Sequence, residues 1–183
     1  MILILGILLL VAGMIFVMPM LLMRIHPKLH QPLKRTMFSI YLLGNLYITL
    51  LSREAGLVAR YELTFLNAYK KSFQLDSGIL GTIRRLLTEG FPAGIQLVTT
   101  EPLEGVILNI LLYIPMGWLL PLIWPKLAAI QVILIGFLSS LLTETIQLLF
   151  HLGWFDVDDL INNTLGTVAG VVLYLLLMRK KRR

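Results

Sequence analysis

Three apolar segments, residues 106–124, 128–150 and 160–178, constrain this chain more than anything else in it. About 20 apolar residues in a helix cross the roughly 30 Å hydrocarbon core of a bilayer. In lipid, only helices and closed barrels satisfy their own backbone hydrogen bonds. Residues 1–23 add a fourth such run, with no charge before Arg24. That run lacks the basic start, the shorter apolar core and the small-residue cleavage site of a secretory signal, so it reads as a retained first span. Residues 36–51 are shorter and contain Ser39, Gly44, Asn45 and Thr49; they span with help from their flanks. Soluble domains are about 45–50% apolar and about 25% charged. This chain is 57% hydrophobic and 14% charged, with the excess gathered in blocks. The expected fold is an all-α integral membrane protein with about five transmembrane helices. Its parts are two N-terminal helices (1–51), an extracytoplasmic loop with amphipathic segments (52–105), a three-helix core (106–178) and a basic tail (179–183). The chain has no cysteine, which excludes disulfides, thiol catalysis and thiolate metal sites.

Charge sets the orientation. With five spans, residues 24–35, the turn at 125–127 and the tail share one side. That side carries Arg24, Lys28, Lys34, Arg35, Lys126 and the five basic residues 179–183, and no acid. Every other Lys and Arg, and nine of the ten acids, fall on the opposite side, with Glu144 inside a span. Basic short loops stay cytoplasmic, so the N-terminus is expected outside and the C-terminus inside. The net charge of +6 thus reflects topology, with the tail attracted to anionic lipid, and no nucleic-acid partner is expected.

Within the long loop, Tyr61, Phe65, Tyr69 and Phe73 recur every fourth residue, which would make one aromatic stripe on a helix packed on the spans or in the headgroup belt. Residues 79–87 (ILGTIRRLL) are amphipathic and suited to lie on the membrane surface.

The polar residues inside the last spans are the expensive ones. Ser140, Glu144, Gln147 and His151 have offsets of 0, 4, 7 and 11, and so do Asp159, Asn163, Gly166 and Gly170. Such offsets form one helical face. Facing the two stripes together hides both, and the Gly166–Gly170 pair permits close backbone approach. At about 1.5 Å per residue, Glu144 lies about 9 Å below the outer boundary, level with Gly166 and within reach of Asn163. On the preceding span Asn109 and Tyr113 share a face. Pro115 removes a backbone donor and Gly117 thins the helix, which suits either a broken helix lining a cavity or a kink made for packing.

Structural roles compete with these functional ones. Asp156 and Asp159 fit an N-cap and first-turn acid at the start of the last span, leaving Asp158 the freer carboxylate. Gln147, Asn163 and Asn109 fit interhelical hydrogen bonds. A metal site at Glu144, His151 and Asp158, or at His151 with Asp156 and Asp158, matches no standard ligand spacing. Ser140 and His151 are too far apart on one helix to form a nucleophile–base pair, and phosphate loops and dinucleotide fingerprints are absent. No cofactor is expected. The ligand-binding candidates are therefore Asn109, Tyr113, Glu144, Gln147, His151, Asp158 and Asn163, with Glu144 also the candidate catalytic base.

The blocks NILLYIPMG (109–117), TETIQL (143–148) and FDVDDLINNTLG (155–166) with Gly170 together resemble the VanZ-like family of bacterial membrane proteins. The matching positions are Asn109, Pro115, Gly117, Glu144, Gln147, Asp156, Asp158, Asp159, Asn163 and Gly166. The segment ELTFLNAYKKSF lacks the proline that family members often have there, and nothing carries over to it. The family is named for a member linked to low-level teicoplanin resistance, so the resemblance implies a cell-envelope role in the bacterial cytoplasmic membrane. Three readings follow. One is a non-enzymatic protein whose outward-facing polar pocket binds a lipid-linked or cell-wall-related group or a lipoglycopeptide. The second is a membrane enzyme acting on a lipid or cell-wall precursor, with Glu144 as general base. The third is a scaffold in which the polar stripes only join helices. The partners expected are membrane lipids and, on the first reading, a lipid-linked cell-wall precursor or a lipoglycopeptide.

Overall fold

The computed structural model describes residues 30–72, 84, 87–90 and 101–178. The expected first span, most of the amphipathic segment 79–87 and the basic tail lie outside the described residues. Helix α1 is His30–Leu46 and continues as one π-helical turn, Tyr47–Leu51. A short strand β1 (Arg60–Glu62) and a short helix α2 (Asn67–Ser72) follow. Then come the long helices α3 (Glu101–Ile123) and α4 (Ala129–Leu149), a strand β2 (Trp154–Asp156) and helix α5 (Val157–Met178).

Among the described residues, three helices are long and apolar enough to cross a membrane: Leu103–Ile123, Ala129–Leu149 and Val157–Leu177. Their outer faces are apolar. Ile130, Leu134, Leu138 and Leu142 are exposed along α4, and Leu165, Val172, Leu176 and Leu177 along α5. Conversely, Ser140, Thr143, Glu144, Gln147, Asp158, Asn162, Asn163 and Thr167 are buried. Water would reward the opposite arrangement; hydrocarbon rewards this one.

The tightest helix pair is α3 with α5, and small residues make it so. A Cβ on Gly117 would overlap the Thr167 carbonyl oxygen, one on Gly166 the Ile110 carbonyl oxygen, and one on Gly170 the Ile114 carbonyl oxygen. Gly166 and Gly170 therefore face α3, where the sequence reading had turned them toward α4. Against α4 the intimate contact is Gly136, beneath the Thr167 side chain. The core beside this seam holds Tyr113, Met116, Trp118, Leu119, Val132 and Val171, with Tyr41 from α1. Helix α3 runs unbroken through Pro115 and Pro121. Of the two alternatives the sequence leaves open, the broken helix does not form, and Pro115 and Gly117 sit on the face packed against α5 and the core.

Two expectations for the polar segment also change. The fold is not wholly helical: β1 and β2 pair in parallel, Tyr61 opposite Phe155. The aromatic stripe does not form among the described residues, since Tyr61 lies in β1, Phe65 in a turn and Tyr69 in α2, while Phe73 lies outside the described residues. Long-range pairing to β2 overrides the local helical period.

Candidate functional site

The first turn of α5 is where polar chemistry concentrates. Asp156 caps that helix: its Oδ1 accepts the Asp158 N–H at 2.8 Å. Asp159, one turn in, accepts a hydrogen bond from the Asn109 side chain at 2.5 Å. That bond ties α5 to α3, a role beyond complementing the helix dipole. Glu144 reaches across from α4 and accepts the Asp156 N–H at 3.1 Å. It is only 2% exposed. Asn163 meets Ser140 instead of Glu144, its Nδ2 donating to the Ser140 Oγ at 2.8 Å. Tyr113 is fully buried, with its hydroxyl among those of Ser139, Ser140 and Thr143. Pro115 and Gly117 lie farther along α3, in the core.

Three candidates are spoken for by the architecture. Asp158 is not the free carboxylate the sequence suggested. It is 1% exposed and accepts backbone N–H groups from Leu66 (2.6 Å) and Ala68 (2.9 Å). His151 adopts φ 56° just past the end of α4. The Leu152 N–H returns to the Gln147 carbonyl and the His151 N–H to that of Leu148. This is the left-handed helix stop usually made by glycine, so His151 serves as a turn residue, and its carbonyl accepts the Gly56 N–H at 2.7 Å. Gln147 donates to the Thr49 carbonyl at 2.9 Å, pinning the π-helical end of α1 to α4. Among the described residues, no three His, Cys, Asp or Glu side chains are grouped to hold a metal ion. Neither Glu144, His151 and Asp158 nor His151, Asp156 and Asp158 form such a group, and the Asp158 carboxylate is engaged by Leu66 and Ala68.

Several participants were not expected at this site from the sequence. Residues 53–72 form a strap over this end of the bundle, held by the β1–β2 pairing, the Gly56–His151 bond and Asp158. The Tyr69 hydroxyl donates to Asn162 Oδ1 at 2.6 Å, and burial with the nearby Asp158 charge pushes the Tyr69 pKa up. Tyr69 therefore stays a proton donor. Arg53 reaches over Gly153, where a Cβ would fall 2.7 Å from its Nη1 and 3.6 Å from Gln147 Oε1. From there its charge acts on both Glu144 and Asp159. The 3.6-residue period can place Glu144 on a face but cannot reveal a partner some ninety residues away. A lone arginine just after a span gave no cue either.

Glu144, Asp156, Asp158 and Asp159 thus converge, and among the described residues the cations whose charges act on them, Arg53 and Lys71, are fewer than the carboxylates. Burial holds the Asp156 carboxyl above its usual range, the Asp158 N–H opposes this, and the charges of Asp158 and Glu62 add to the rise. A raised folded-state pKa means that folding favours the protonated form. The stability this residue contributes is complete below the ordinary aspartate pKa and lost as pH rises through the raised value. Asp156→Asn, which keeps a good N-cap, is expected to flatten that segment of the pH–stability curve. Thermal unfolding in detergent from about pH 4 to pH 7 measures it.

The constellation Asn109–Asp159, Glu144–Asp156 and Ser140–Asn163 falls in the blocks whose order matched a known family, and comparison decides the matter. The VanZ/LLP1 family model matches residues 38–178. The chain belongs to the VanZ-like family. Protein VanZ of Enterococcus faecium is 31% identical over 123 residues, covering 65% of this chain and 71% of that one. No solved structure matches significantly. The matched region includes the strap and α1 from Phe38 onward, so the family match extends beyond the three-helix core to the segments that close over the acidic centre.

Proposed function

We propose that this VanZ-like protein is a non-enzymatic, multi-pass component of the bacterial cytoplasmic membrane. In this reading its outward-facing acidic centre engages a lipid-linked or cell-wall-related group, or a lipoglycopeptide, and contributes to low-level teicoplanin resistance. Five spans, with the N-terminus outside and the C-terminus inside, place that centre on the outer face. The charge asymmetry of the loops supports this topology. So does the run of α1: Phe38 meets Trp124 edge-on at one end of the bundle, and Thr49 meets Gln147 near the other.

One observation carries the binding reading: the centre holds more hydrogen-bonding capacity than the protein uses. Asn162 Nδ2 and Asn163 Oδ1 are buried without a protein partner. Whichever way the Asn163 amide is turned, one end stays open, and an open buried polar group costs about 1–3 kcal/mol. The surplus of carboxylates favours a guest rich in N–H, O–H or ammonium donors. Glu144 and Asp159 would accept such groups once the strap yields.

The scaffold reading also has support, since Asn109, Gln147, Asp158 and Ser140 all bind within the chain. Susceptibility separates the two. Glu144→Gln and Asn163→Ala, expressed at the wild-type level and correctly folded, are expected to abolish the resistance the wild-type chain confers. Unchanged resistance in both variants would leave the scaffold. The enzymatic alternative, with Glu144 as base, requires a chemically altered precursor in cells expressing the wild type and none with Glu144→Gln.

A further inference from the structure

A groove lies at the other end of the bundle, between α1, α3 and α4. Three ridges line it: Phe38 and Leu42 from α1; Met116 and Leu120 from α3 with Trp124 just past its end; Gln131, Ile135 and Ser139 from α4 with Leu127 just before its start. Each ridge steps by four residues, so the side chains stand one above another along the axis. Its volume is about 710 Å³, and Lys126 closes the lining at the mouth. Along α4 from Gln131 to Ser139 the groove runs about 12 Å at 1.5 Å per residue, and Leu127 and Trp124 extend it at the mouth. One leaflet of hydrocarbon is roughly 15 Å, half of the roughly 30 Å core. An apolar slot one leaflet deep, with a cation and a half-exposed tryptophan at the headgroup end, has the dimensions and polarity of a lipid.

We propose that this groove seats one acyl chain of an anionic phospholipid, with the headgroup phosphate beside Lys126. Charge complementarity favours that occupant over a neutral one. Lys126 is exposed, Lys34 and Arg35 lie near the same end of α1, and residues 24–35 and 125–127 contain no acid. The helix N-terminus that begins at Ala129 adds partial positive charge there. On the five-span topology this end faces the cytoplasm and the lipid belongs to the inner leaflet. The seat itself rests on the groove and not on the acidic centre. The test below is made in detergent and is indifferent to orientation.

Trp124 is a built-in reporter: it is 47% exposed in the groove, whereas Trp118 is 1% exposed and Trp154 lies in β2. Full-length protein in detergent is titrated with phosphatidylglycerol brominated along its acyl chains, and the signal is the fluorescence quenching lost in Trp124→Phe. Quenching is expected to saturate at a low lipid-to-protein ratio. Brominated phosphatidylcholine should need a higher ratio. Lys126→Gln should weaken the phosphatidylglycerol titration roughly fivefold, as expected for one cation at a headgroup. Ile135→Phe, which narrows the groove, should reduce quenching by both lipids. Equal titrations with the two headgroups, or an unchanged one in Lys126→Gln, would overturn the proposal. So would an absence of Trp124 quenching, the result expected if residues 1–23 or a second copy of the chain fill the groove.

Discussion

Gly117→Ala is expected to prevent recovery of folded protein, although it adds a single methyl group. The new Cβ would overlap the Thr167 carbonyl oxygen and press on the Val171 amide nitrogen. Both are backbone atoms of a helix, so no rotamer change relieves the clash. The only relief is to part α3 from α5. That parting would reopen the Gly166 and Gly170 contacts, which lie on the same seam. Overpacking typically costs 1–3 kcal/mol where side chains can adjust, and here they cannot. Membrane helices associate mainly through such close packing and interhelical hydrogen bonds, so separating the seam would also stretch the Asn109–Asp159 bond. Gly44→Ala is the control. It lies in α1 with nothing within 4 Å of the added methyl, and should be neutral or stabilising by up to about 1 kcal/mol through helix propensity. Size-exclusion profiles and thermal unfolding in detergent distinguish the two. A normally eluting, normally melting Gly117→Ala protein would contradict the packing described.

The second large effect is expected from Asp158→Ala. This carboxylate is buried and gives one oxygen to each of two backbone amides in the strap. Charge-assisted bonds of this kind are the stronger ones. Removing the carboxylate leaves two donors without it, a loss of about 2–4 kcal/mol. Leu66 would suffer first, because it holds φ 57°, a left-handed conformation unfavourable for a leucine and sustained by what its N–H grips. The strap should come free of the acidic centre while the helical bundle stays folded. Because the chain has no cysteine, Tyr61→Cys with Phe155→Cys gives a clean reporter across the β1–β2 pairing. Mild oxidation should close that disulfide readily in the otherwise wild-type strap, and at least tenfold more slowly when Asp158→Ala is added, the factor that about 1.4 kcal/mol of lost closure would produce. Equal closure rates would show that Asp158 does not hold the strap.

Much of the helical core was legible in the residues. The spans of α3, α4 and α5 follow from apolar runs, because a run of that length has few other stable fates in lipid. The offsets 0, 4 and 7 found the inward face of α4 at Ser140, Glu144 and Gln147, while the fourth position, His151, falls past the helix end; Asp156 was recognisable as a cap from its place before an apolar helix. The small residues were legible as contact points, but their partner was not. Gly166 and Gly170 could have served either neighbour. The matching gap on α3 at Gly117 decided between them, and a helical period cannot express that match.

The acidic centre shows the same division. Glu144, Asn109 and Asn163 stood out because lipid makes them costly wherever they face. Whether such a cost is met by a partner or left for a ligand depends on groups brought in from far along the chain. Asp158 looked free until the Leu66 and Ala68 amides were in place. His151 looked like a ligand until the backbone turned left-handed through it. The sequence alone determined where helices run and which residues must avoid lipid, because those follow from local periodicity and transfer cost. Only the tertiary structure decided which of those residues are already satisfied, because hydrogen-bond partners are set by contacts that chain order does not encode.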